Sequence, residues 1–181
     1  IRNYLTYLRE KNIKVLPPDI NKSHGFFTVE NGSVRIGMAA IKNVGMPVIE
    51  QIVKERERGG EFKDFVEFVT RMSSITLNKK MLESLIYAGT FDCFGHARSQ
   101  LIAVYEQVLD RAARDRKVKL SGQMSMFDAF ADTTTELNCF EYPKMREYSL
   151  SEKLRREKEV ASIYLTGHPL EEYAQYLKTF E

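Results

Sequence analysis

The stretch Ile41-Lys42-Asn43-Val44-Gly45-Met46-Pro47-Val48-Ile49-Glu50-Gln51-Ile52-Val53 offers the most direct chemistry in this sequence. A short apolar segment runs into a tight turn, and a second helix opens at a proline. Gly45 is placed to take the positive φ that such a turn often needs, and Pro47 suits a first helical turn, where its missing N–H costs nothing. Val48, Ile49, Ile52 and Val53 then make one buried stripe. The amides of Val44, Gly45 and Met46 fall at the helix start, where the dipole is positive, so they suit an oxyanion. Without a side chain, Gly45 lets a phosphate approach. Asn43 lies in the turn, and Lys42, Lys79, Lys80, Arg71 and Arg98 are candidates to flank this tip and that of a second hairpin, the alternative being a solvated surface. Contacts of this kind fix position on a nucleic-acid backbone and read no bases. The bland alternative is an ordinary corner of an all-α domain.

A second stretch, Gln123-Met124-Ser125-Met126-Phe127, lies in a polar tract. An apolar-aromatic pair behind a glutamine suits peptide docking: the pair fills a pocket and the glutamine bonds its rim. The alternative is that it folds back onto its own domain. Nothing in the sequence makes a catalytic constellation. His24, His96 and His168 are scattered, no Asp-x-Asp pair would hold two metal ions, and the glycines form no phosphate-cradling loop. The sequence assigns no catalytic residue and no metal ligand.

The elements that must position these stretches are mostly helical. Ile1, Tyr4, Leu5 and Leu8 predict a first helix, ended by Asn12 and Leu16-Pro17-Pro18-Asp19. Asn31-Gly32 between β-prone runs predicts a two-stranded hairpin with a type I′ turn. Residues 37–44 read as a short helix, residues 47–58 as a second stopped by Gly59-Gly60, and Phe62, Phe65, Val66 and Val69 as another stripe. Residues 78–88 form a helix with Gly89 as its cap. Residues 82–91 and a long helix from near Ala97 could make a second hairpin with Tyr87, Ala88, Gly89 and Thr90 at its tip. That long helix ends in a basic run, residues 111–119. Residues 121–142 read as a polar linker. Ser149-x-x-Glu152 is a capping box opening a helix to about Leu165, and Leu170, Tyr173, Ala174 and Leu177 make a last amphipathic helix.

With 27 basic and 25 acidic residues among 181, the formal charge is +2. Any nucleic-acid contact is therefore local rather than histone-like. Two distant cysteines, Cys93 and Cys139, without metal spacing, and no apolar run of membrane length point to a reduced cytoplasmic protein with no membrane partner. The chain reads as a piece of a longer protein.

The 41–53 pattern resembles a helix-hairpin-helix. Five blocks taken in order are more specific. They are Leu16-Pro17-Pro18-Asp19-Ile20-Asn21, Ile36-Gly37-Met38-Ala39-Ala40-Ile41-Lys42-Asn43-Val44-Gly45, Leu82-Glu83-Ser84-Leu85-Ile86-Tyr87-Ala88-Gly89-Thr90-Phe91-Asp92, Gly122-Gln123-Met124-Ser125-Met126-Phe127, and Glu157-Lys158-Glu159 leading to Tyr164-Leu165-Thr166-Gly167-His168-Pro169-Leu170. Together they resemble the alpha (catalytic) subunits of bacterial DNA polymerase III.

The resemblance implies a mainly α fold: a tandem helix-hairpin-helix domain with a small N-terminal β-hairpin and a C-terminal helical segment. It implies the end of a fingers domain at 1–36, the DNA-binding hairpins at 37–120, a flexible linker with a clamp-binding peptide at 121–148, and a helical connector at 149–181 leading to a β-barrel. It places the catalytic aspartates and Mg2+ of the parent polymerase upstream, with no cofactor here. The implied partners are duplex DNA, a sliding clamp and other replisome subunits. DNA contacts would fall on residues 42–46, Lys79, Lys80, residues 87–90 and Arg98, and clamp contacts on residues 123–127. Pro47 departs from the family by removing one N–H donor, and Ala161-Ser162 departs in a packing position. Rival readings are a helix-hairpin-helix repair enzyme, for whose acid Asp64 stands near the right distance but after Glu61-Phe62-Lys63, the wrong turn chemistry, and a protein-binding helical module.

Overall fold

The structure, a computed structural model, describes residues 2–74, 77–120, 140–167 and 169. Helix α1 (Arg2–Glu10) is followed by three short strands, β1 (Val15–Leu16), β2 (Thr28–Glu30) and β3 (Ser33–Arg35), in the order β1-β3-β2. Asn31 and Gly32 both take positive φ, +48° and +74°, as a type I′ hairpin requires. Val29 pairs with Val34 across the antiparallel ladder. The parallel strand β1 was not expected. It pairs Val15 with Val34 and Leu16 with Arg35, and at two residues before a proline pair it leaves no alternation to read.

The remaining elements are helical, so the expected mainly α class holds. They are α2 (Met46–Gly59), α3 (Phe65–Arg71), α4 (Lys79–Tyr87), α5 (Arg98–Leu120) and α6 (Leu150–Ala161). Side chains cap three starts by accepting backbone N–H groups: Asp64 from Glu67 at 2.7 Å, Asn78 from Met81 at 2.8 Å, and Ser149 from Glu152 at 3.3 Å. After α4, Gly89 at φ +76° closes a Schellman motif, its N–H bonding Ile86 and the Thr90 N–H bonding Leu85. Helix α6 ends at Ala161, short of the expected Leu165, because Ser162 turns left-handed at φ +61°. Among the described residues no helix is long and apolar enough to cross a membrane.

Two local expectations are corrected. Residues 37–44 do not form an α-helix; only Met38–Ala40 makes a 3₁₀ turn. The Lys42 N–H donates to Val160 in α6 at 2.8 Å, so a tertiary bond takes the amide that would have continued the helix. The positive φ of the first corner falls on Asn43, at +66°, whereas Gly45 is extended at φ −81°, ψ 148°. Asn43 tolerates this because its Nδ2 donates to Ser84 Oγ at 3.0 Å.

The core runs through every helix. Phe65 and Phe68 from α3 meet Phe91 with ring centroids 5.0 and 5.1 Å apart, and Phe62 meets Phe68 at 5.1 Å. Burying each such ring stabilises the fold by about 2–3 kcal/mol. Arg98 and Glu157, at 1% and 0% exposure, sit inside this core. Arg98 donates to Asp92 at 3.0 and 2.7 Å, to the Tyr87 carbonyl at 3.0 Å and to Glu157 at 2.9 Å. Glu157 also accepts the N–H groups of Leu165 and Thr166 at 2.7 and 3.0 Å and the Thr166 hydroxyl at 2.7 Å. Burial disfavours the Arg98 charge, but Asp92 and Glu157 outweigh it and raise its pKa. A cation is thereby held where its absence would leave two carboxylates without a counter-charge.

Residues 140–148, expected within a flexible linker, instead lie as a strap across the start of α5. Gln100 donates to the Pro143 carbonyl and the Ser99 hydroxyl to the Arg146 carbonyl, each at 2.8 Å. His96 stacks on Tyr142 at 3.9 Å. Glu147 accepts the Arg98 N–H at 3.0 Å and the Ser99 N–H at 3.4 Å, an acid at a helix N-terminus. Burial would raise its pKa, but these amides, that of Tyr148 and the Lys153 charge lower it. The strap is invisible to periodicity because its hydrogen bonds go to another element.

Two stability measurements follow from this packing. Arg98→Ala should cost about 3–5 kcal/mol in urea denaturation, because it strands a buried carboxylate; Arg98→Lys, which keeps a charge but not the fork, should fall between. At position 43, Asn43→Val should be less stable than Asn43→Gly by about 1–2 kcal/mol, since a β-branched residue cannot take positive φ cheaply. Equal midpoints for Val and Gly would show that the left-handed turn is not what position 43 supplies.

Candidate nucleic-acid interface

The corner before α2 is built by three features. Val44 is buried and anchors the turn, Gly45 is the exposed N-cap residue, and Met46 and Pro47 start the helix. The Gly45 carbonyl accepts the N–H groups of Val48 and Ile49 at 3.1 and 3.2 Å. The amides of Val44, Gly45 and Met46 donate to no protein acceptor among the described residues. They lie at the positive end of a 14-residue helix. Unpaired amides at a helix start are the donor type that suits an anionic oxygen. A Cβ at Gly45 would approach nothing closer than Pro47 Cδ, at 3.7 Å, so this glycine leaves open surface.

Not all the sequence-predicted residues gather here. Lys42, Asn43, Lys80 and Tyr87 line one groove beside the corner, together with Arg156 from α6. The Lys42 ammonium donates to the Glu159 carbonyl at 2.7 Å, near the negative end of α6. Lys79 turns away to Glu106 on α5, at 2.6 Å; the hydrogen bond and charge of that pair raise the lysine pKa and lower the glutamate's. Arg71 closes the α2–α3 corner by binding Glu55 and Glu67 at 3.1 and 3.2 Å and lies over Phe62 at 4.4 Å.

The second corner, expected to supply further contacts, differs from the first. Tyr87, Ala88, Gly89 and Thr90 are all buried. The Ala88, Gly89 and Thr90 amides donate to Ser84, Ile86 and Leu85, and the Thr90 carbonyl accepts the Ile20 N–H. No N–H of residues 88–90 is left for a phosphate, because the Schellman motif and the loop before β2 have used the turn. Arg98 is unavailable for the same reason: its guanidinium is spent inside the core. A Cβ at Gly89 would collide with that guanidinium, which ties the glycine to Arg98 rather than to a ligand.

Sequence reasoning missed Arg156. Its guanidinium stacks on Tyr87 at 4.5 Å, and its Nε donates to Glu152 at 2.8 Å. The Glu152 hydrogen bond raises the Arg156 pKa against the cost of burial, and burial pushes the Tyr87 phenol up despite Arg156. Its only sequence signal is being next to Glu157. Asp64, the acid required by the repair-enzyme reading, is occupied as the cap of α3. Among the described residues no three His, Cys, Asp or Glu side chains gather as a metal site. Gln123, Met124, Ser125, Met126 and Phe127 lie outside the described residues, as do Leu170, Tyr173, Ala174 and Leu177.

Comparison with known proteins agrees with this geometry. Residues 12–101 match the family described as the helix-hairpin-helix motif. The DNA polymerase III subunit alpha of Borreliella burgdorferi is 35% identical over 177 residues, covering 98% of this chain and 15% of the relative. That of Treponema pallidum is 38% identical over 173 residues, covering 94% and 14%, and that of Vibrio cholerae 35% identical over 173 residues, covering 95% and 15%. The chain thus spans about 15% of the length of these relatives. With its exposed first corner and the order of its blocks, the chain belongs to the DNA polymerase III alpha-subunit family, as a segment carrying the helix-hairpin-helix motif.

Proposed function

We propose that this segment grips duplex DNA for a bacterial replicative polymerase, and that it does so through backbone phosphates rather than bases. The observation that carries the reading is the corner at residues 43–46, where Asn43 and Gly45 are exposed and the amides of Val44, Gly45 and Met46 lack protein acceptors among the described residues at the start of α2. Family membership supplies the context, since the relatives are named as DNA polymerase subunits. The role is positional: the segment holds the duplex while catalysis belongs to the rest of the polypeptide.

We propose further that Gln123, Met124, Ser125, Met126 and Phe127 fasten the polymerase to a sliding clamp. The support is sequence order and residue chemistry: the pentapeptide follows the DNA-binding segment in the order expected of the family. Tethering of this kind raises the effective concentration of the polymerase at the primer terminus.

Fluorescence anisotropy of a labelled duplex tests the DNA contact. The chain should bind without sequence preference, and with about two to four phosphates neutralised, log affinity should fall with log salt at a slope of roughly −2 to −4. A salt-insensitive complex, or none at low salt, overturns the reading. Gly45→Asp separates folding from binding. Its side chain can cap α2, so stability should hold within a few tenths of a kcal/mol, while its charge should repel the phosphate and weaken binding at least tenfold, roughly the effect of losing one charge-assisted hydrogen bond. For the clamp, Phe127→Ala should abolish clamp capture in a pull-down and leave duplex affinity intact; undiminished capture refutes the peptide assignment.

A further inference from the structure

The first corner opens onto a groove of about 310 Å³ between the loop at Asn43, helix α4 and helix α6. Lys42, Lys80 and Arg156 face it against the carboxylates of Glu83 and Glu159. The two outer cations are held ready rather than paired off. Lys80 has no side-chain partner among the described residues, and its carbonyl merely accepts the Ser84 hydroxyl at 2.9 Å. Arg156 spends only its Nε on Glu152 and is steadied by the Tyr87 ring, so neither terminal amino group has a protein acceptor among the described residues. A planar guanidinium fixed on an aromatic face, with its outer donors free, is suited to a tetrahedral oxyanion.

The groove is continuous with the corner through Asn43, which belongs to both. A strand seated on the corner carries further phosphates on either side, and the groove begins at a residue of that same corner. We propose that this groove holds a second phosphodiester of the same DNA strand, gripped by Lys80 and Arg156. The inference rests on the DNA-binding reading above and extends the contact surface to α6, which lies beyond the matched motif at residues 12–101.

The test is the salt dependence of duplex binding by the chain and three variants. Lys80→Gln, which breaks no contact of its ammonium among the described residues, should reduce the magnitude of the log–log slope by about 0.9, the value for one phosphate contact. Arg156→Gln should remove a further step of about 0.9, and Arg156→Lys, which keeps the charge, should restore most of it. If the parent chain binds and Gly45→Asp weakens it, but Lys80→Gln keeps the full slope, the groove serves something else, such as an acidic side chain of a protein, and this inference alone is overturned. If the parent chain does not bind duplex at low salt, the DNA-binding reading is overturned first and this inference falls with it.

Discussion

The charge pair between Arg98 and Glu157 holds the described structure together. It joins the first turn of α5 to a helix 59 residues further along the chain, and both partners are out of contact with water. Two ions are removed from solvent only when their hydrogen-bonding capacity is nearly saturated. Here Arg98 is shared among Asp92, Glu157 and the Tyr87 carbonyl, while Glu157 also gathers the Leu165 and Thr166 amides. The pair thus fixes the end of α4, the start of α5, the course of α6 and the turn that follows it. A hydrophobic contact could supply similar stability, but it would not dictate so many directions at once.

The exposed corner depends on that frame. Its backbone is set from both sides: Asn43 is tied to Ser84 on α4, and the Lys42 amide to Val160 on α6. With these two anchors the chain must turn sharply, and the turn puts a left-handed residue ahead of Gly45. The amides of residues 44–46 are then left without a protein acceptor among the described residues, at the start of α2 where its dipole is positive. A corner of this kind costs little to maintain, because the helix supplies the donors and the surrounding packing supplies the rigidity. The second corner shows the opposite outcome from a similar-looking sequence. Gly89 closes a Schellman motif, Ile20 takes the Thr90 carbonyl, and the turn becomes part of the core.

Arg98 illustrates why charge on a sequence does not identify a ligand contact. Lys79, Lys80, Arg71 and Arg98 look alike along the chain, as cations near two corners. The structure gives them four fates: an ion pair with Glu106, an ammonium at the groove with no partner among the described residues, the clasp of α2 to α3, and the buried centre of the fold. Only the positions of their acidic partners separate them. Arg156, which no motif singles out, comes to the groove because α6 is folded back over α4.

What the sequence determined by itself was local. Asn31-Gly32 specified its hairpin, Ser149-x-x-Glu152 its cap, Gly89 its helix stop, and the apolar stripes of α2 to α5 their buried faces, since each signal acts within a few residues and needs no distant partner. The ordered blocks were likewise enough to place the family. Tertiary structure decided the rest. It chose Asn43 rather than Gly45 for the positive φ, paired β1 with β3, drew residues 140–148 across α5, and buried one corner while exposing the other. Each of those outcomes turns on a hydrogen bond or ion pair between residues far apart in the chain. Whether a polar group keeps its water or finds such a partner is settled only when the elements meet.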